Sequence, residues 1–168
     1  MSLKFDLQSD FKVNGRLLDR ITVTVFRINQ AAQRGKLRKV KRVLAKALDA
    51  AWMQGIVGAD MPGRVKCGPG LRLPHGGRGI AIHPDVVIGS DVAIFPRVML
   101  GRGGPKRSVP QIANGATIYT GAVVVGPVLV GEKARVGANS TVSRDVAPRS
   151  TVQGVPAMEV DRATTWAK

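Results

Sequence analysis

The sequence predicts a mainly β protein: a left-handed parallel β-helix preceded by a small α-helical N-terminal region. The first observation is a six-residue period, since ten of eleven positions taken every sixth residue from 82 to 142 are aliphatic. Neither a helix nor a flat strand has this period. It fits a triangular coil whose sides each take six residues and each point one aliphatic side chain at the axis. The inward residues are Ile82, Ile88, Ile94, Leu100, Ile112, Ile118, Val124, Val130, Val136 and Val142.

The second observation is what surrounds these positions. Small or β-branched residues stand two places before most of them, and glycine follows four of them. Small side chains fit the corner of a coil, and glycine permits its tight bend. The companion residues are Val86, Val92, Val98, Ala116, Ala122, Val128, Ala134 and Ser140.

The pattern divides the chain into three parts. Residues 1–58 are predicted to be helical, with amphipathic helices over 15–29 and 35–52; the second carries a basic face along 36–46. Residues 59–146 form the coil, interrupted at Lys106 by a Gly-, Pro- and Lys/Arg-rich segment, 102–110, predicted to leave the coil as a flap. Residues 147–168 are predicted to be an extended tail, because Pro148 and Pro156 disfavour regular structure.

Composition narrows the classes of function. The net charge of +15 indicates an anionic partner, but aromatic residues make up only 4% of the chain, which disfavours nucleic acid. The basic face of 36–46 is interpreted as solvated, with peripheral contact to an anionic membrane surface as the alternative. A single Cys67, no recognisable signal peptide and no long apolar run predict a cytoplasmic protein, or one peripheral to the inner membrane face.

Both histidines of the chain, His75 and His83, lie within "LRLPHGGRGIAIHP". Histidine is the side chain best suited to exchange a proton near neutral pH. The repeat places His83 on the regular surface of the coil, as an ordinary surface residue or a substrate contact. Two histidines are too few for the three-histidine zinc sites that some such coils carry, so no metal is expected. Cys67 is interpreted as a small core residue rather than a nucleophile.

The motifs "GPGLRLPHGGRGIAIHPDVVIGSDVAI", "LGRGG", "IYTGAVVVG", "VGANSTVSRDVA" and "GVPA" occur in this order. With them the chain resembles the serine acetyltransferase-like branch of the hexapeptide acyltransferases, which includes capsule and exopolysaccharide O-acetyltransferases. The resemblance implies direct acetyl transfer from acetyl-CoA to an alcohol. It also implies a homotrimer or a dimer of trimers with active sites between subunits.

The resemblance also implies site residues. The general base falls on His75, and the carboxylate that orients it falls on Asp60. Pro74, His83 and Ser108 are expected at the acceptor. Residues expected to bind the cofactor are Gly103, Gly104, Gly121, Ala122, Ala138, Arg144 and Gly154.

Departures from the family pattern bear on the acceptor. Enzymes that acetylate free serine have an Asp before the catalytic His and an Arg-His pair in the flap; here those places hold Pro74, and Ser108 with Val109. Because a buried zwitterion needs charged partners, a hydroxyl of a sugar or polysaccharide precursor is the preferred acceptor. Serine O-acetyl transfer is the alternative, and a non-catalytic polyanion-binding scaffold the second alternative.

Overall fold

The computed structural model describes residues 2–34, 39–103 and 108–160. Three helices come first: α1 (Leu3–Val13), α2 (Leu17–Arg34) and α3 (Lys39–Asp49), which continues into a π-helical segment, Ala50–Val57. Helix α1 begins where the Ser2 hydroxyl accepts the amide proton of Phe5. This helix lies within the predicted helical region, 1–58, but its bounds were not predicted. The predicted helix over 15–29 is present but extends to Arg34, and the first part of the predicted 35–52 helix lies outside the described residues.

The described residues that follow the helices form a left-handed parallel β-helix, the predicted fold class. Its short strands are β1 (Lys66–Cys67), β2 (Ala81–Ile82), β3 (Val87–Ile88), β4 (Ala93–Ile94), β5 (Met99–Gly101), β6 (Gln111–Ile112), β7 (Thr117–Ile118), β8 (Val123–Val125), β9 (Leu129–Val130), β10 (Arg135–Val136), β11 (Thr141–Val142), β12 (Thr151–Gln153) and β13 (Met158–Glu159). They stack into three sheets, ordered β1-β3-β6-β9, β2-β5-β8-β11 and β4-β7-β10-β12-β13. All pairs are parallel except β12 with β13.

The core follows the predicted period. All ten inward aliphatic residues are at most 2% exposed, and the eight companion residues are at most 3% exposed. The six-residue repeat therefore identifies the axis of the coil correctly, because one side chain per side is all that a coil of this width can enclose.

Two insertions break the 18-residue turn of the coil. Lys66 pairs with Val87, 21 residues later, whereas Ala81 pairs with Met99, 18 residues later. Val87 pairs with Gln111, 24 residues later. The first insertion adds three residues before β2 and contains the turn Pro74–Gly77; the second adds six before β6 and contains the flap.

The helical region is joined to the first turn of the coil by a buried ion pair. Arg27 Nε lies 2.8 Å from Asp10 Oδ2, and the two side chains are at most 1% exposed. The guanidinium also donates to the carbonyls of Cys67 and Gly68, at 3.0 and 2.6 Å. Arg27 thus connects α1, α2 and the coil through five hydrogen bonds, one of them to Gln30.

The tail differs from its prediction. The tail is not simply extended, because β12 and β13 form an antiparallel pair; residues 161–168 lie outside the described part. On α3, Leu44 and Leu48 are 63% and 40% exposed, so the described residues leave these two side chains of its apolar face uncovered. None of the helices in the described ranges combines the length and apolar character that crossing a bilayer requires.

Candidate active site

His75 lies in the turn inserted before β2. The turn Pro74–Gly77 has the hydrogen-bond pattern of a 3-10 helix. Its φ angles are not helical, however, since those of His75, Gly76 and Gly77 are positive, at 56°, 73° and 64°. A Cβ on Gly76 would meet the Leu18 side chain at 2.6 Å, so this position requires glycine for both conformation and space. Half-buried Pro74 precedes the exposed His75, and the turn presents the imidazole to solvent.

Asn14, just after α1, fixes the segment that leads into the turn. Its side-chain amide donates to the carbonyl of Leu71 at 2.7 Å and accepts from the amide of Leu73 at 3.0 Å. Asn14 is 1% exposed, so these bonds form away from water, where they are strong. Asn14 thereby holds one hydrogen-bonding edge of the backbone just before His75.

The first turn of α2 contacts the histidine turn itself. Asp19, 6% exposed, accepts the amide proton of Gly76 at 2.7 Å. Three residues earlier, Arg16 places Nη1 3.1 Å from His75 Nδ1. Sequence reasoning missed Asn14, Arg16 and Asp19, because polar residues near a helix start are usually caps and nothing local pairs them with residues some 57 to 59 positions away.

Asp60 lies at the first rung of the coil. Its amide donates to Ile80 and its carbonyl accepts from Ile82, both at 2.8 Å, and its side chain is exposed. Within the described residues, Asp60 forms no hydrogen bond or ion pair with His75. Its charge acts on Asp49: burial raises the pKa of Asp49, a hydrogen bond from Asn29 lowers it, and the charge of Asp60 raises it further.

His83 follows β2, at the other end of that strand. Its ring is 25% exposed; Nδ1 accepts the amide proton of Asp85 at 3.2 Å and lies 3.8 Å from the Asp85 carboxylate. Asp85 also pairs with Arg102 at 3.1 Å, at the start of the flap. The structure therefore places His83 beside the flap, away from the α2 contacts that surround His75.

The flap returns to the coil through a short bridge. Gly103 pairs with Ser108, whose carbonyl accepts the Gly103 amide at 3.3 Å. Ser108 and Val109 are half-buried. The predicted cofactor residue Gly104 lies outside the described residues, between these two anchor points.

The other predicted cofactor residues lie along the second half of the coil. Gly121, at φ 71°, precedes Ala122, which is fully buried with both backbone groups already bonded. Ala138, Arg144 and Gly154 are exposed. Ala122 thus offers no free polar group, whereas the other three have surface accessible to a ligand.

A surface cleft of about 520 Å³ opens near the flap side of the coil, and His75 is not among its lining residues. It is lined by Gln33, Gly63, Arg64, Lys66, Pro84, Asp85 and Val87. In the described part of the chain, no group of three or more His, Cys, Asp or Glu side chains is arranged to hold a metal ion.

No family model matches the chain. Curated proteins similar to it include the serine acetyltransferases of Buchnera aphidicola subsp. Schizaphis graminum, 36% identical over 124 residues (72% of this chain, 47% of the relative), and of Mycobacterium tuberculosis, 35% identical over 126 residues (73% and 53%). The Bacillus pumilus serine acetyltransferase is 33% identical over 132 residues (77% and 58%). The chain spans about half the length of the curated relatives that it matches.

Solved structures agree with this similarity. A serine acetyltransferase in complex with CoA superposes with a TM-score of 0.76 at 26% identity, covering 94% of this chain and 68% of that one. The Neisseria gonorrhoeae serine acetyltransferase gives 0.77 at 27% identity (97% and 65%), and the soybean enzyme complexed with serine gives 0.76 at 28% identity (94% and 68%). In sequence and in fold, this chain is similar to serine acetyltransferases, which are hexapeptide-repeat acyltransferases.

Proposed function

We propose that this protein is an acyl-CoA-dependent O-acetyltransferase of the serine acetyltransferase type, with acetyl-CoA as co-substrate and serine as acceptor. The supporting observation is that both the helices and the coil superpose on serine acetyltransferases, including one bound to CoA and one bound to serine. The relatives favour serine as the acceptor. A sugar hydroxyl, the acceptor predicted from Pro74, Ser108 and Val109, has less support.

His75 is the proposed general base. As the serine hydroxyl oxygen attacks the thioester carbonyl carbon, the imidazole takes the hydroxyl proton. The tetrahedral intermediate collapses with loss of the CoA thiolate, and the imidazolium gives its proton to this leaving group. Backbone amides of the glycine-rich segments are the proposed donors to the oxyanion. The turn supports this role because it presents an exposed imidazole on a backbone fixed by Asn14 and Asp19.

Asp60 is proposed to orient His75, as carboxylates do in other His–carboxylate pairs. Its support is position alone, since it lies on the first rung, paired with the strand that follows the histidine turn. Arg144 and the exposed Lys133 are the proposed contacts for the CoA phosphates, because both present unburied cations on the coil.

Release of free CoA thiol from acetyl-CoA tests the proposal. Purified protein should release thiol with serine and yield O-acetylserine, identified by mass. Glucose and glycerol serve as neutral hydroxyl acceptors in parallel. Thiol release with a sugar but not with serine would favour a sugar hydroxyl as the acceptor. No release with any acceptor would favour a non-catalytic scaffold.

A further inference from the structure

We propose that Arg16 is an acceptor-recognition residue that binds a carboxylate next to the reacting hydroxyl. This inference rests on the proposed function and adds a residue to it. Its starting observation is the distance of 3.1 Å between Arg16 Nη1 and His75 Nδ1. The two residues come from different parts of the chain: Arg16 directly precedes α2, and His75 lies in the inserted turn of the coil.

The chemistry of this contact assigns the protons. A guanidinium has only donors, so His75 Nδ1 must accept with its lone pair. The neutral ring then carries its proton on Nε2, which is free to be donated to a carboxylate, the role proposed for Asp60. Arg16 therefore occupies the lone pair at Nδ1. This is the lone pair that would receive the hydroxyl proton of the substrate that is acetylated. For His75 to act as a base at this nitrogen, Arg16 must move to another partner.

The charged groups around Arg16 indicate the chemical class of that partner. Among the described residues, Arg16 forms no ion pair with a carboxylate. The nearby Asp19 is buried and bonded to the Gly76 amide. Its neighbour Arg20 instead donates to the carbonyl of Asn14. Arg16 is thus an exposed cation without a counter-ion, placed beside the reacting group.

A carboxylate on the acceptor fits this position. In serine, three bonds separate the hydroxyl oxygen from the carboxyl carbon, so one molecule can reach His75 with its hydroxyl and Arg16 with its carboxylate. An arginine and a carboxylate form strong, charge-assisted hydrogen bonds. Binding would then draw Arg16 away from Nδ1 as it delivers the hydroxyl. A neutral sugar has no group to do this, and half-buried Ser108 and Val109 carry no charge that could replace Arg16.

The test compares L-serine with L-serinamide, which keeps the hydroxyl and the amino group but lacks the carboxylate. The proteins are wild type, Arg16→Gln, Arg16→Lys and the control Lys12→Gln, which removes an exposed cation at the end of α1. We expect Arg16→Gln to lower kcat/KM for serine by about 10- to 100-fold, mainly through KM, while kcat/KM for serinamide does not fall. Arg16→Lys should recover part of the loss, and Lys12→Gln should behave as wild type, with KM for acetyl-CoA unchanged throughout.

A loss of equal size with both acceptors, or no loss with serine, would overturn the assignment while leaving acetyl transfer intact. Histidine ¹⁵N NMR gives a readout that needs no turnover, since His83→Gln leaves a single ring to observe. Wild type should show the proton of His75 on Nε2, this preference should weaken in Arg16→Gln, and serine but not serinamide should change it. If wild type acetylates neither compound, the proposed function fails. The Arg16 proposal then fails too if serine leaves the His75 ring signals unchanged.

Discussion

The two histidines stand at opposite ends of β2, and their neighbours give them different chemistry. His75 is exposed on an inserted turn beside Arg16, whereas His83 contacts Asp85 at the base of the flap. We expect His75→Ala to lower kcat by about 10²- to 10⁴-fold, the usual contribution of a general base. His83→Ala should keep most of the turnover. Thiol release under saturating substrates measures both; equal losses in the two variants would contradict the assignment of the base.

Cys67 should be chemically inert in the folded protein. Burial raises the pKa of its thiol to about 12, with the charge of Arg27 opposing the rise only partly. At pH 8 almost none of the thiol is ionised. The thiolate is the reactive form, so the side chain should not react. We expect no reaction with a thiol-specific disulfide reagent at pH 8, and one equivalent per chain after unfolding in urea. Rapid labelling of the folded protein would show that the thiol is accessible and ionised.

At the scale of single elements, the ion pair of Asp10 and Arg27 should dominate the attachment of the helices to the coil. Removing one partner leaves a buried charge without compensation. Asp10→Asn is therefore expected to lower the free energy of unfolding by about 3–5 kcal/mol, measured by urea denaturation. Arg102→Ala, which breaks the exposed pair with Asp85, is the matched control and should cost about 1 kcal/mol or less. Similar losses in both variants would show that burial does not set the size of the effect.

Asp49, at the end of α3, should make stability depend on pH. Its pKa is raised above the ordinary value of 3.8, first by burial and further by the charge of Asp60, against a hydrogen bond from Asn29. The folded state thus holds this proton more tightly than the unfolded state. The contribution is present at low pH and is lost as the pH rises from 3.8 through the raised pKa. Tm should fall over that window in wild type and fall less in Asp49→Asn; Glu159→Gln, at an exposed carboxylate, should follow wild type.

For the whole molecule, we expect a trimer or a dimer of trimers. Outward aliphatic side chains on the coil are substantially exposed in a single chain: Val87 by 39%, Met99 by 48% and Leu129 by 48%. Exposed apolar surface of this kind is typical of subunit contacts. Sedimentation equilibrium at micromolar concentration measures the mass directly. A monomer would contradict the prediction, and with it the expectation that active sites lie between subunits.

The sequence by itself determined the coil and its axis. Ile82, Leu100 and Val124 can be recognised as inward positions from the sequence, because the coil requires one inward side chain in every six residues and this requirement is local and periodic. It also marked His75 as the distinctive histidine, through its glycine neighbours. The bounds of helix α1, within the predicted helical region 1–58, were missed because its residues are weakly amphipathic. The β12–β13 pair was missed because proline-rich tails carry no periodic signal.

Only the tertiary structure decided what surrounds His75. Arg16 and Asp19 reach the inserted turn from the start of α2, and Asn14 holds the segment before it. These contacts join residues far apart in the chain, so no spacing or composition predicts them. They depend on how helix α2 packs against the coil. The periodic repeat could be predicted because its cause is local, whereas the environment of the base could not because its cause is the packing of two separate parts.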